Sequence, residues 1–93
     1  MPEYEHKTLG VKLFVKDNVT QGDLEKYAAE YRNFDHTGDI EHRGAVVRAM
    51  WKVGIIIEPT QIGDVAEMDP KVIRWMSEKL DAYYKELTTI PPE

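Results

Sequence analysis

The stretch Asp69-Pro-Lys-Val-Ile-Arg-Trp-Met-Ser-Glu-Lys-Leu-Asp-Ala-Tyr-Tyr-Lys-Glu-Leu87 decides the fold class. Asp69 offers a side-chain acceptor at the helix N-cap, and Pro70 falls at the first helical position, where a missing N–H costs nothing. Val72, Trp75, Met76, Leu80, Tyr83, Tyr84 and Leu87 then recur at helical spacing and define one apolar stripe. The spacing predicts a helix from Pro70 to about Leu87. Residues 88–93 cannot stay helical to their end, because Ile90 precedes Pro91 and Pro92. The charges Glu78, Lys79, Asp81, Lys85 and Glu86 read as a solvated face, and Asp81 to Lys85 has the favourable i, i+4 order.

Working back from this helix, residues 54–59 (Gly-Ile-Ile-Ile-Glu-Pro) read as extended or irregular, and Thr60 to Met68 has room for one helical turn. A helix is expected from about Ile40 to Val53, capped by Asp39 or Thr37 and ended by Gly54 as a left-handed terminator. Its stripe is Ile40, Val46, Val47, Met50, Trp51 and Val53, with Arg48 and Lys52 on the opposite face. Arg43 breaks that stripe near the helix start. An earlier helix is expected after Thr20, where Thr20 and Asp23 approximate a capping box. Leu24, Tyr27, Ala28 and Tyr31 form its apolar face, and Asn33 is a reasonable stop. Ahead of it, Val11, Leu13 and Val15 alternate with Lys12, Phe14 and Lys16, the pattern of a half-buried strand. A turn at Leu9-Gly10 makes Tyr4 to Thr8 the first arm of a hairpin, and Asp17-Asn18 closes the strand. The expected fold is therefore α+β, mainly α, with an N-terminal strand or hairpin followed by three helices. No internal repeat or low-complexity linker occurs.

The chain has 93 residues and a formal charge of −5, with 12 Lys and Arg against 17 Asp and Glu. That length holds one small globular domain over residues 1–93, with 1–3 and 91–93 expected as tails. Apolar runs such as Ile55-Ile56-Ile57 are far shorter than the roughly 20 residues a membrane-spanning helix needs. The polar, acidic start at Met1-Pro2-Glu3 gives no secretory signal, and a cytoplasmic location is expected. Zero cysteines remove disulfides and thiolate metal sites. The acidic balance argues against nonspecific nucleic-acid binding, which needs Lys and Arg on phosphates. Two Trp, five Tyr, two Phe and many aliphatic residues argue against disorder.

Asp35, Thr37 and Asp39 stand at positions 1, 3 and 5 of a calcium loop, but Ile40 and Val46 occupy the places of its Gly and Glu. Partial matches to a phosphoryl-accepting Asp and to an Asp-Thr-Gly protease motif fail too, and a turn feeding a helix cap is the better reading. His6, His36 and His42 have no zinc spacing and read as surface residues. No Gly-rich phosphate loop and no nucleophile elbow is present. No catalytic constellation, cofactor or metal is expected. Trp75 reads as core, whereas one of Tyr83 and Tyr84, about 100° apart on the helix, is expected at the core edge. Trp51 flanks its own stripe in a similar way. Arg43 either pairs with an acid such as Glu41, Asp39 or a neighbour in the fold, or faces a carboxylate of a partner. Arg43, Trp51 and Tyr84 are thus the candidate partner-binding residues.

Three segments carry a family resemblance: Lys12 to Glu25, a strand running into a capped helix; Val46 to Glu58, a helix with an embedded Trp and an acidic exit; and Asp69 to Pro92, a proline-started helix with an early Trp and an Ile-Pro-Pro tail. Together they resemble the small tail assembly chaperones of long-tailed bacteriophages and prophages. The resemblance implies a non-enzymatic protein in the host cytoplasm that coats the helical tape-measure protein until the tail tube forms. It also implies self-association as an option, for which an exposed N-terminal strand edge is suited. Two alternatives stand beside it: a structural phage protein such as a head–tail connector or tail completion protein, and a small regulatory protein-binding module. No membrane or nucleic-acid partner is expected.

Overall fold

The computed structural model describes residues 2–59 and 64–93. Two strands, β1 (Glu3–His6) and β2 (Val11–Val15), form an antiparallel hairpin in which Tyr4 faces Leu13 and His6 faces Val11. The arm ends earlier than its sequence suggests. Lys7 to Gly10 make the turn, with Gly10 at a φ of +67° and its N–H bonded to the Lys7 carbonyl, so Thr8 lies outside the strand. β1 begins at Glu3, and just ahead of it the Pro2 carbonyl accepts from Val15 N–H, so residues 2 and 3 are tied to β2.

Helix α1 (Gln21–Arg32) starts at the expected capping box: the Thr20 hydroxyl accepts from Asp23 N–H, and the Asp23 carboxylate accepts from Thr20 N–H. Helix α2 (Asp39–Lys52) has Gly38 at its N-cap and no side-chain cap, which corrects the expectation for Asp39 or Thr37. Asp39 falls inside the first turn, where its charge still suits the helix dipole. The other end follows the sequence. Gly54 has a φ of +81°, its N–H donates to Trp51, and Ile55 N–H donates to Met50. These are the two bonds of a Schellman ending.

That ending aims Ile55 into the core and leads into β3 (Ile56–Glu58), which pairs antiparallel with β2 through a local register irregularity. The extended 54–59 segment is thus a third strand, and the sheet order is β1-β2-β3. β1 is one of its edges, and it carries exposed Glu3 and Glu5. A 3₁₀ turn, Val65–Glu67, falls within the expected turn at Thr60 to Met68, of which 60–63 lie outside the described residues. Helix α3 (Pro70–Thr88) begins as predicted, with the Asp69 carboxylate accepting from Lys71 N–H. The architecture is α+β and mainly α: an antiparallel hairpin, extended by a third strand, with three helices.

The core joins Leu13 and Val15 of the sheet to Val46, Val47, Ala49 and Met50 of α2 and to Ile73, Met76 and Leu80 of α3. The buried face of α3 runs through Ile73 and Ser77, rotated slightly from the stripe expected from Val72 and Trp75, which are partly buried. Ser77 tolerates this because its hydroxyl donates to the Arg74 carbonyl at 3.0 Å. Trp75 sits at the core margin, edge-on to His6 at 5.8 Å. Tyr83 is 5% exposed, and its hydroxyl donates to the Lys16 carbonyl at 2.6 Å, fastening α3 to the end of β2. Among the described residues no helix is long and apolar enough to cross a membrane.

Candidate binding surface

The buried residues of helix α2 are Gly44, Ala45, Val46, Val47, Ala49 and Met50. At 100° per residue, Ile40, Arg48 and Trp51 fall within about 80° of one another on its outer flank, with buried Gly44 between them. Ile40 was expected in the apolar stripe of the core, but it is 77% exposed. The reason is rotational: Ile40 lies about 120° from Val46 and about 80° from Met50 around α2, and it borders an open groove. Trp51 is 38% exposed on the same outer flank.

Across from this flank lie Val65, Met68, Pro70 and Ile73, from the 3₁₀ turn and the start of α3. Together with Ile40, Gly44 and Arg43 they line an open, mainly apolar groove of about 420 Å³. A smaller depression of about 150 Å³ continues it toward Phe34 and Trp51, sharing Arg48 and Val65. Gly44 gives the groove a wall without a side chain, and Arg48 fills part of that space: a Cβ on Gly44 would meet its Nη1 at 2.9 Å. The Arg48 guanidinium also lies 6.0 Å from the centre of the Phe34 ring.

The charges around the groove are unevenly matched. Glu41 leans back over the helix start, with Oε2 only 2.7 Å from where a Cβ on Gly38 would be. Lys52 pairs with Glu30 at 3.1 Å, Arg74 with Glu78 at 3.0 Å, and Lys16 with Asp23 at 2.9 Å. Among the described residues neither Arg43 nor Arg48 has a carboxylate within ion-pair distance. The pairing of Arg43 with Asp39 or Glu41 that the sequence allowed does not form.

Tyr84, the third candidate, lies elsewhere. It is 39% exposed and packs on Tyr27 at 5.8 Å, in a depression with Tyr31, His42 and Asp81. His42 is nine residues from Trp51, or about 180° around α2. One client helix lying along α2 therefore cannot touch both Trp51 and Tyr84. Arg43 lines the groove and also a second depression with Asp39, His42, Glu78 and Asp81, so it lies between the Trp51 flank and the Tyr84 depression.

The Tyr84 depression contains a hydrogen-bonded chain that the sequence did not announce. Tyr31 of α1 lies 2.7 Å from His42 Nδ1, and His42 Nε2 lies 3.4 Å from Asp81 of α3. With the imidazole proton on Nε2, the phenol donates to Nδ1 and the ring donates to Asp81. Burial and the Asp81 charge both raise the Tyr31 pKa, which favours the protonated phenol that donates to His42. These bonds link α1, α2 and α3. His36 stacks on Tyr31 at 4.7 Å, so His36 and His42 flank one ring. Residues 35–38 form the loop that leads into α2 at Asp39. Asp35 accepts from Thr37 N–H at 3.1 Å and from its hydroxyl at 2.8 Å, and these bonds lower its pKa. Among the described residues no three His, Asp or Glu side chains gather as metal ligands.

Comparison of the chain with protein-family profiles, curated proteins and solved structures finds no match. Sequence reasoning missed Ile40 and Arg48 as groove residues, together with the wall from Val65 to Pro70. One signal was present. Ile40, Gly44, Arg48 and Trp51 stand at i, i+4, i+8 and i+11, a second helical stripe beside the core stripe. The opposite wall had no such signal, because it comes from a separate turn.

Proposed function

We propose that this chain is a non-enzymatic protein-binding module that receives an amphipathic helical client along the outer flank of α2. In the specific form suggested by the sequence resemblance, it is a tail assembly chaperone and the client is a tape-measure protein. The observation that carries the binding reading is the open apolar groove beside Ile40, which is itself 77% exposed. An isolated apolar side chain on a surface is ordinary, but one continuous with an apolar groove supports a docking site. The small size of the module suits this role: many weakly bound copies along one long client gain avidity without a large individual interface.

Co-expression with a tape-measure fragment followed by pull-down tests the proposal. A complex is expected, and Trp51→Ala should weaken it about tenfold, a typical loss for an aromatic interface anchor. Tyr84→Ala should leave it unchanged, because Tyr84 lies on the other flank of α2. If Trp51→Ala has no effect while its thermal unfolding matches the parent, the client does not use this surface. Detection of the chain in purified virions would overturn the chaperone role, since a chaperone leaves before assembly ends.

A further inference from the structure

We infer that the open edge of β1 is a docking site for an extended basic segment, which adds to the sheet as a fourth strand and sets two Lys or Arg side chains against Glu3 and Glu5. The hydrogen-bond phase of the hairpin carries this reading. Val15 N–H donates to the Pro2 carbonyl, and the register continues through Glu3 opposite Phe14, Tyr4 opposite Leu13, Glu5 opposite Lys12 and His6 opposite Val11. Antiparallel pairs alternate between bonded and non-bonded, so Tyr4 and His6 turn their backbone groups toward β2, while Glu3 and Glu5 turn theirs outward. The sheet order ends at β1 on this side. Two N–H and two carbonyl groups therefore line its free edge, which is a template for the addition of a strand. The site uses no residue of α2 and does not depend on the groove proposed above.

Charge identifies the occupant. Glu3 and Glu5 are exposed, and their even spacing puts both on one face of the sheet. Among the described residues neither forms an ion pair. The cross-strand row from Glu3 passes through Phe14 to Glu58 and contains no cation. Lys12 stands beside Glu5 on β2, away from the open side, and Lys7 lies past the strand in the turn. On the other face, burial and then the charge of Glu86 raise the Tyr4 pKa, so a third carboxylate acts on this strand. The same residues disfavour a second copy of the chain. Antiparallel pairing through the outward groups would oppose Glu3 to Glu5 of the copy twice over, and a shift of two residues would oppose Glu3 to Glu3 or Glu5 to Glu5. Like charges directly opposite one another destabilise a strand pair. A strand with Lys or Arg at i and i+2 turns both repulsions into attractions, and the net charge of −5 draws it in at long range. Its middle residue meets Tyr4 as a non-bonded pair with Cα atoms about 4.5 Å apart, a position that suits a β-branched side chain.

Three labelled peptides test the inference on the intact chain. The first carries the core Thr-Lys-Val-Lys-Thr, the second has Glu in place of both lysines, and the third is the isomer Thr-Lys-Lys-Val-Thr, which has the same charge but only one lysine on each face. Fluorescence anisotropy at moderate salt should show the alternating Lys peptide binding about tenfold more tightly than the Glu peptide, and more tightly than its isomer. Amide hydrogen exchange read by NMR should slow at Glu3 and Glu5 when that peptide is added, with no change at Tyr4 and His6, whose N–H groups already face β2. The double variant Glu3→Gln, Glu5→Gln should lose the preference for Lys over Glu, with thermal unfolding confirming an intact fold. Equal binding of the two Lys isomers, or unchanged exchange at Glu3 and Glu5, overturns the assignment to this edge, since general attraction to an acidic protein would then explain the binding. Equal or tighter binding of the Glu peptide overturns the basic preference, and binding of no peptide at millimolar concentration overturns the site. A dimer in sedimentation without peptide, with Glu3 and Glu5 amides protected, would give the edge to a second copy and overturn the inference as well.

Discussion

Gly44→Ala sets two effects against each other at the groove wall. Glycine inside a helix is about 1 kcal/mol less favourable than alanine, so the substitution should stabilise α2. The new Cβ would lie 2.9 Å from Arg48 Nη1, too close to remain. That atom is the far end of a flexible side chain, and the guanidinium can swing away. Its departure loosens the contact with Phe34, whose ring centre is 6.0 Å away, a loss of about 0.5 kcal/mol at a partly exposed site. The difference favours stabilisation by about 0.5 kcal/mol, or roughly 2–4 °C in Tm for a domain of this size. Thermal unfolding followed by circular dichroism measures it directly. A double-mutant cycle isolates the cause: in an Arg48→Ala background nothing opposes the new methyl, and Gly44→Ala should gain the full increment of about 1 kcal/mol. Equal gains in both backgrounds would show that Arg48 does not resist the substitution. A net loss of stability in the Arg48→Ala background would refute the placement of Gly44 in an unhindered helix interior.

Tyr83→Phe keeps the buried ring but leaves the Lys16 carbonyl without its 2.6 Å donor, and it should cost about 1–2 kcal/mol in urea unfolding; a change below about 0.3 kcal/mol would remove this bond as a fastening between α3 and the sheet. Asp23 has its pKa lowered from 3.8, first by the hydrogen bond from Lys16 and then by that from Thr20 N–H. A lowered pKa means stabilisation that is present above 3.8 and lost as the pH falls through the folded-state value. The stability gap between the parent and Asp23→Asn should therefore narrow on acidification below that point, and a gap that stays constant across it would contradict the capping role.

The sequence by itself determined the elements whose signals are local. A proline at the first position and an aspartate cap placed α3, the Thr20–Asp23 box placed α1, and Gly54 ended α2, because each satisfies backbone groups within a few residues of itself. Alternation in Val11 to Val15 likewise gave β2 and its buried face. Arg43 and Trp51 were visible as residues that sat badly in an apolar stripe. Tertiary structure decided matters that depend on what lies opposite. It made residues 56–58 a strand by supplying β2 as a partner, since three residues carry too little periodicity to declare it. It rotated the buried face of α3 toward Ile73 and Ser77, where a local bond to Arg74 satisfies the hydroxyl. It left Ile40 in the open, although its sequence position continues a helical stripe, because that side of the first turn of α2 faces the open groove. It also set Tyr84 on the far flank from Trp51 and brought Val65 and Met68 across from Ile40. A helical stripe is encoded by spacing along one element; a groove needs two walls, and their approach is fixed only when the whole core packs.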